Sequence, residues 1–180
     1  MAYSYGEPLE NKGSSTWDLS EFEGRDSVDL LARLIYSEAE GESNEGKRGV
    51  AHVALNRRNS GKSEFGGSTF ESVILKKYQF EGMTTERARK PDLESDAWAD
   101  CLNIASNMST VKNPIGDCLW FMTNSAYKKG ASGSGSNETF TFSGSTAKKV
   151  IEKKVIGNHT FFRVSTYPIL SSEKNSKFEG

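Results

Sequence analysis

Four glutamates crowd into a short stretch of this chain: Glu38, Glu40, Glu42 and Glu45. Carboxyl groups held in the right surroundings act as general acids and bases. Glu38 is the most informative of them. If Leu31, Leu34 and Ile35 form the buried stripe of a helix, Glu38 falls three and four positions further along it. Desolvation there favours the neutral acid and raises its pKa, as a general acid near neutral pH requires. The alternative is a carboxylate that emerges into solvent as the helix ends at Gly41. Glu42 stands four positions beyond Glu38 and is the candidate for a second carboxylate if the helix continues. Gly41 argues against continuation, and Glu42 could instead hold the turn or pair with Arg33 or Arg57. Glu40 reads as solvent-facing.

Aromatic side chains can stack on an apolar ligand face, and side-chain amides can meet a ligand's hydrogen-bonding groups. Phe80, Trp120, Phe121 and Tyr127 could stack, and Gln79 and Asn124 could hydrogen-bond. Plain core packing is the competing reading for Trp120 and Phe121, whose side chains point opposite ways in a strand. Phe80 and Tyr127 read as loop residues.

The two histidines, His52 and His159, are far apart and form no H-E-x-x-H pattern. His52 reads as a structural hydrogen-bonding group four residues before Asn56. His159 reads as a buried histidine fixing a turn, or as a group near the cleft. Cys101 and Cys118 can form one disulfide or stay reduced, and a pair is too few for a disulfide framework or a zinc site. No G-x-S-x-G, P-loop or dinucleotide fingerprint is present. No metal and no cofactor is implied.

The elements that must position these residues follow from capping and periodicity. Asp26 or Ser27 can cap a first helix, with Asp29 in its first turn. Ser43 or Asn44 opens a second helix through Arg58, closed by Asn59-Ser60-Gly61. Ser68 or Thr69 begins a shorter helix, and Ser95 caps another. Residues 79 to 93 read as loop. Residues 118 to 122, 139 to 142 and 160 to 164 read as strands, and 129 to 137 as a Gly/Ser-rich flexible loop. Helices come first and strands later, so the expected class is α+β. Residues 1–25 read as a flexible lead-in and 167–180 as a polar tail.

Composition sets outer limits. The chain has 180 residues with Lys+Arg 23 against Asp+Glu 24, a net charge of -1. That balance lacks the basic excess of a nucleic-acid footprint. No apolar run reaches the roughly 18–20 residues of a membrane span, and the N-terminal residues lack a secretory signal pattern.

Residues 32 to 58 read ARLIYSEAEGESNEGKRGVAHVALNRR. This string resembles the opening motif of the SleB/CwlJ-type cell-wall hydrolases, an alanine-arginine helix leading into E-A-x-G-E, then E-G, an apolar helix and L-N-R. Here those pieces are Ala32-Arg33, Glu38-Ala39-Glu40-Gly41-Glu42, Glu45-Gly46 and Leu55-Asn56-Arg57. Tyr78-Gln79-Phe80 is similar to the family's Q-F segment. Leu119-Trp120-Phe121 with Asn124 is similar to its aromatic stretch, and Ile156 to Phe162 to its closing I-G-N-H-x-F motif. Glu40 departs from the basic residue common at that place.

The resemblance implies a lysozyme-like catalytic domain, over about 26–166, that acts on peptidoglycan glycan strands. It places the catalytic glutamate on Glu38. It implies cleavage between N-acetylmuramic acid and N-acetylglucosamine by lytic transglycosylation, in the cell wall or the spore cortex and coat, with a spore-coat protein as partner. The competing readings are a hydrolytic muramidase using a second carboxylate and a non-catalytic peptidoglycan-binding or spore-coat module. An amidase or endopeptidase would want a metal cluster or a Cys/His pair.

Overall fold

The computed structural model describes residues 4–10 and 13–166. The chain divides into two compact units, residues 1–116 and 117–180. The first is helical. It contains α1 (Ser27–Ala39), α2 (Asn44–Ser60), α3 (Phe70–Ile74), α4 (Glu86–Arg89) and α5 (Asp96–Ser106), with short 3-10 turns at Ser20–Phe22, Ser63–Phe65 and Glu81–Thr84. The second holds α6 (Asn124–Gly130) and five strands, β1 (Trp120–Thr123), β2 (Ala131–Ser132), β3 (Thr139–Phe140), β4 (Lys148–Ile156) and β5 (His159–Val164). The class is α+β.

Local chemistry sets the helix starts. The Asp26 carboxylate accepts from the Val28 N–H, Ser43 Oγ from Gly46 N–H and Ser95 Oγ from Trp98 N–H. Each such cap contributes about 1 kcal/mol. α2 ends where Gly61 takes a left-handed φ of 65° and returns its N–H to the Arg58 carbonyl, a conformation that costs glycine little.

α1 is the central helix of the first unit. It packs against α2, α3, α4 and α5, and Leu30, Leu31, Leu34 and Ile35 are buried. Its burial is not confined to one stripe, because Asp29 and Arg33 are also at 0% exposure. They form an ion pair at 2.8 Å. Arg33 further donates to the carbonyls of Ala88, Arg89 and Glu7, and Asp29 accepts from Gly6 N–H at 2.6 Å. A charge pair leaves water at tolerable cost only when its remaining groups are also satisfied. Asp29 is thus a core partner as well as a first-turn acid. Arg33 is committed to it and does not pair with Glu42.

The stretch before Asp26 packs more than its composition suggests. Leu9, Leu19 and Phe22 are buried, and Leu9 N–H donates to the Arg89 carbonyl. Residues 79 to 93, expected as loop, hold the Glu81–Thr84 turn and α4.

In the second unit the sheet order is β1-β5-β4-β3-β2, with every pairing antiparallel. Tyr127, Phe140, Phe162 and Val164 form its core, with Trp120, Phe142 and Val150 against them. β4 and α6 were not anticipated. The segment expected as a loop at 129–137 begins inside α6 and continues into β2. The polar tail from 167 onward lies outside the described residues.

Candidate active site

The site builds around the last turn of α1, where Glu38 sits half-buried. Its Oε1 accepts a hydrogen bond from the Gly82 N–H at 2.8 Å. Gly82 lies in the Glu81–Thr84 turn, where the early N–H groups of a short helix have no partner within it. The Gly82 carbonyl in turn accepts from Thr85 Oγ1 at 2.6 Å and Thr85 N–H at 3.1 Å. A side chain at position 82 would not fit. A Cβ there would stand 2.7 Å from Ser37 Oγ, 2.8 Å from Glu38 Oε1 and 2.9 Å from Glu38 Cδ.

Burial pushes the Glu38 pKa up. The Gly82 N–H opposes this by favouring the charged form, and the negative charge of Glu81 adds to it. Arg87 and Arg57 pull the other way. The net direction is upward, which keeps a proton on the carboxyl at higher pH than an ordinary glutamate would hold it.

Arg57 comes from the last turn of α2 and is buried. Its guanidinium carbon lies 4.7 Å from the centroids of both Phe65 and Phe80, and its Nη1 donates to Gln79 Oε1 at 3.1 Å. Burial lowers its pKa to about 10 against the pull of Glu64 and Glu38, so it remains a cation at neutral pH.

Gln79 therefore orients Arg57. Phe80 is only 2% exposed and presents no ring face to a sugar; it is half of the aromatic clamp on Arg57. Loop position suggested exposure, but burial is decided by what the loop folds against. Glu42 is half-buried just past α1. Its N–H closes a turn on Ala39 O, and its carbonyl takes the Lys47 ammonium. It does not continue the helix face of Glu38, as Gly41 implied. Glu40 is not simply solvent-facing: its carboxylate accepts from Tyr36 Oη at 3.2 Å and lies 3.9 Å from Arg87 Nε.

The remaining candidates lie in the second unit. Tyr127 is on α6 and buried, its ring against Phe140 and Phe162 and its hydroxyl donated to Glu138. It is a core residue with a polar end, not a loop platform. Asn124 accepts from Thr160 Oγ1 at 2.8 Å and donates to Gly157 O at 3.0 Å. Both Asn124 and Tyr127 line a cavity of about 480 Å³, with Glu138, Lys153 and Thr160. Trp120 packs on Phe142 and Phe162, toward the unit's own core. Phe121 lies on the other side of β1 with His159 and Phe161, at centroid distances of 5.3 and 5.7 Å. His159 is 8% exposed and sits in this aromatic group.

Sequence reasoning named Arg57 only as a possible partner of Glu42 and within a motif, and did not single out Gly82. Arg57 was visible as the end of L-N-R; Gly82 carried no signal, because its contribution is a backbone N–H. His52 makes a structural hydrogen bond, through Nδ1 with the Arg48 carbonyl at 2.8 Å, and the Asn56 amide donates to Gly116 O. Cys101 and Cys118 are buried and not disulfide-bonded, each thiol pushed up to about 12 by burial, which leaves them unreactive near neutral pH. Among the described residues no helix is long and apolar enough to cross a membrane.

Comparison with known proteins follows the same lines. Residues 41–162 match the family described as cell wall hydrolase; the match begins just after Glu38. Over 58 residues the chain is 41% identical to the cell wall hydrolase CwlJ of Bacillus subtilis, covering 32% of this chain and 41% of that protein. The chain thus aligns with under half the length of that relative. The catalytic domain of the germination-specific lytic transglycosylase SleB from Bacillus anthracis superposes with a TM-score of 0.51 at 19% identity, covering 78% of this chain and 98% of that one. The two share a fold. With about two thirds of its length inside the family match, this chain is a member of the cell wall hydrolase family.

Proposed function

We propose that this protein cleaves the glycan strand of peptidoglycan between N-acetylmuramic acid and N-acetylglucosamine, with Glu38 as the general acid. The observation that carries this reading is the environment of Glu38: a carboxyl whose pKa is raised by burial, with one oxygen held by a backbone N–H. Glu38 protonates the departing glycosidic oxygen as positive charge develops at the anomeric carbon. In the lytic transglycosylase course, the muramoyl 6-hydroxyl then attacks that carbon and returns its proton to Glu38, leaving a 1,6-anhydro end. This course uses one carboxyl and no attacking water. The fold shared with the SleB catalytic domain supports it.

Hydrolysis is the second reading, and one observation bears on it. Glu81 is a carboxylate whose charge reaches Glu38. If water is the nucleophile, Glu81 is the residue to test first. The relatives are called a cell wall hydrolase and a germination-specific lytic transglycosylase, which supports a cell-wall setting.

The test is mass spectrometry of fragments released from purified cortex and vegetative sacculi, with Glu38→Gln alongside. Anhydromuramic ends that vanish in Glu38→Gln are the expected result. Reducing muramic ends would replace transglycosylation by hydrolysis. Near wild-type turnover by Glu38→Gln would remove Glu38 as the acid. No release from either substrate would favour a binding module.

A further inference from the structure

Tyr78 combines three features that its neighbours do not. It is the one non-glycine residue with positive φ, at 70°, among the described residues. It is 68% exposed, the highest value among the exposed large hydrophobic side chains. It also stands directly before Gln79, the residue that orients Arg57. A left-handed backbone is disfavoured for an aromatic residue and suits glycine or asparagine far better. An exposed, strained aromatic is therefore not explained by folding, and such outliers concentrate where a ligand is held.

Tyr78 does not stand alone. Trp17 meets it edge-to-face, with ring centroids 5.4 Å apart, and the Lys77 ammonium lies 5.4 Å from its ring centroid. Trp17 and Lys77 also line a cavity of about 350 Å³, together with Ser14, Ser15, Asp18 and Ser20. Asp18 is fixed as an acceptor. Its Oδ1 takes Ser20 Oγ at 2.6 Å and Ser20 N–H at 3.1 Å, and its Oδ2 takes Ser14 N–H at 2.9 Å.

We propose that Trp17 and Tyr78, with the cavity edged by Ser14, Asp18, Ser20 and Lys77, form a carbohydrate-binding subsite. One ring of the pair stacks on the apolar face of a pyranose, the other borders it edge-on, and the polar rim hydrogen-bonds its hydroxyls. The chemistry fits a neutral sugar better than a phosphate, because the rim carries the carboxylates of Asp18 and Glu23. The volume is in the range of small-ligand sites, about 300–1,000 Å³. Trp17 lies outside the family match at 41–162, so the platform joins a segment outside that match to one within it. The inference rests on the glycan reading above and adds a place where the strand is gripped apart from the acid.

The experiment titrates the full chain carrying Glu38→Gln, so that nothing is cut, with tri-N-acetylchitotriose, following the Trp17 indole N–H by NMR and measuring affinity in every variant by isothermal titration calorimetry. Two further variants are Trp17→Ala and Tyr78→Gly; the second removes the ring while easing the backbone. The expected result is a shift of the Trp17 signal that saturates. Each ring removal should weaken binding about three- to tenfold, the scale of an aromatic contact. In chains that retain Glu38, KM on sacculi should rise by a similar factor, with kcat moving less. Unchanged affinity and KM in both variants, or no shift at Trp17, would overturn the proposal. Cleavage that persists in Glu38→Gln would sink the acid assignment instead, leaving the Trp17 titration to be read by itself.

Discussion

The Gly82 N–H donates to Glu38 Oε1 at 2.8 Å, and a Cβ on Gly82 would fall at 2.8 Å from that same oxygen. A backbone N–H only donates, so the oxygen it engages is the one that stays unprotonated. Under the proposed chemistry the proton of Glu38 sits on Oε2, and the glycine lets the turn approach closely enough to set this.

Gly82→Ala should therefore displace the carboxyl. A misplacement of about 1 Å can cost on the order of 100-fold in rate, and the loss should appear in kcat more than in KM. Losing a bond that favours the charged form also raises the Glu38 pKa. The high-pH limb of the rate profile should move upward, a shift that simple loss of fold would not produce. Steady-state kinetics across pH, with circular dichroism as the fold control, decides it.

Glu38→Gln should abolish turnover yet stabilise the protein at neutral pH. The folded pKa of Glu38 lies above its unfolded value. Its favourable contribution is complete below the unfolded pKa, near 4.3, and is lost as pH rises through the folded one. The glutamine carries no charge to desolvate. Calorimetry at pH 7 should show a Tm raised by about 2–4 °C for each kcal/mol relieved, and the advantage should disappear near pH 4.

Arg57→Ala removes a buried cation lying 4.7 Å from two aromatic centroids. A desolvated contact of this kind is worth about 2 kcal/mol or more, and Gln79 Oε1 loses its donor as well. Denaturant unfolding should show at least that loss. Removing the positive charge also raises the Glu38 pKa, so any residual activity should extend to higher pH. Unchanged stability would mean that the clamp is incidental.

In the second unit, burial raises the Glu138 pKa, but Tyr127 and Lys153 together bring it below the ordinary glutamate value. The stability it supplies is present above the unfolded pKa and lost as pH falls through the folded one. Tyr127→Phe keeps the ring packing and deletes the hydroxyl. It should cost about 1.5–3 kcal/mol at neutral pH, the scale of a hydrogen bond to a charged group, and less in acid. Urea titrations at pH 7 and pH 3 provide the comparison.

Residue types close together in the chain determined the helical framework. Asp26, Ser43, Ser95 and Gly61 cap helices through bonds to residues two or three positions away, so their effect is readable without knowing the fold. The stripe ending in Glu38, and the succession from helices to strands, were legible for the same reason. β4 was not. Its residues, KKVIEKKVI, carry charge throughout, and a register shift between Val150 and Glu152 breaks the alternation that marks a strand. It is a strand because β5 pairs with it.

Only the tertiary structure decided which aromatics face inward. Phe80 and Tyr127 were expected at loop surfaces and are buried, one beside Arg57 and the other against Phe140 and Phe162. Burial belongs to the assembled chain, because it depends on what distant segments bring to a side chain. The clamp on Glu38 is the plainest case. Its donor lies 44 positions away and is a backbone N–H, a group that nearly every residue carries and that no sequence pattern can single out.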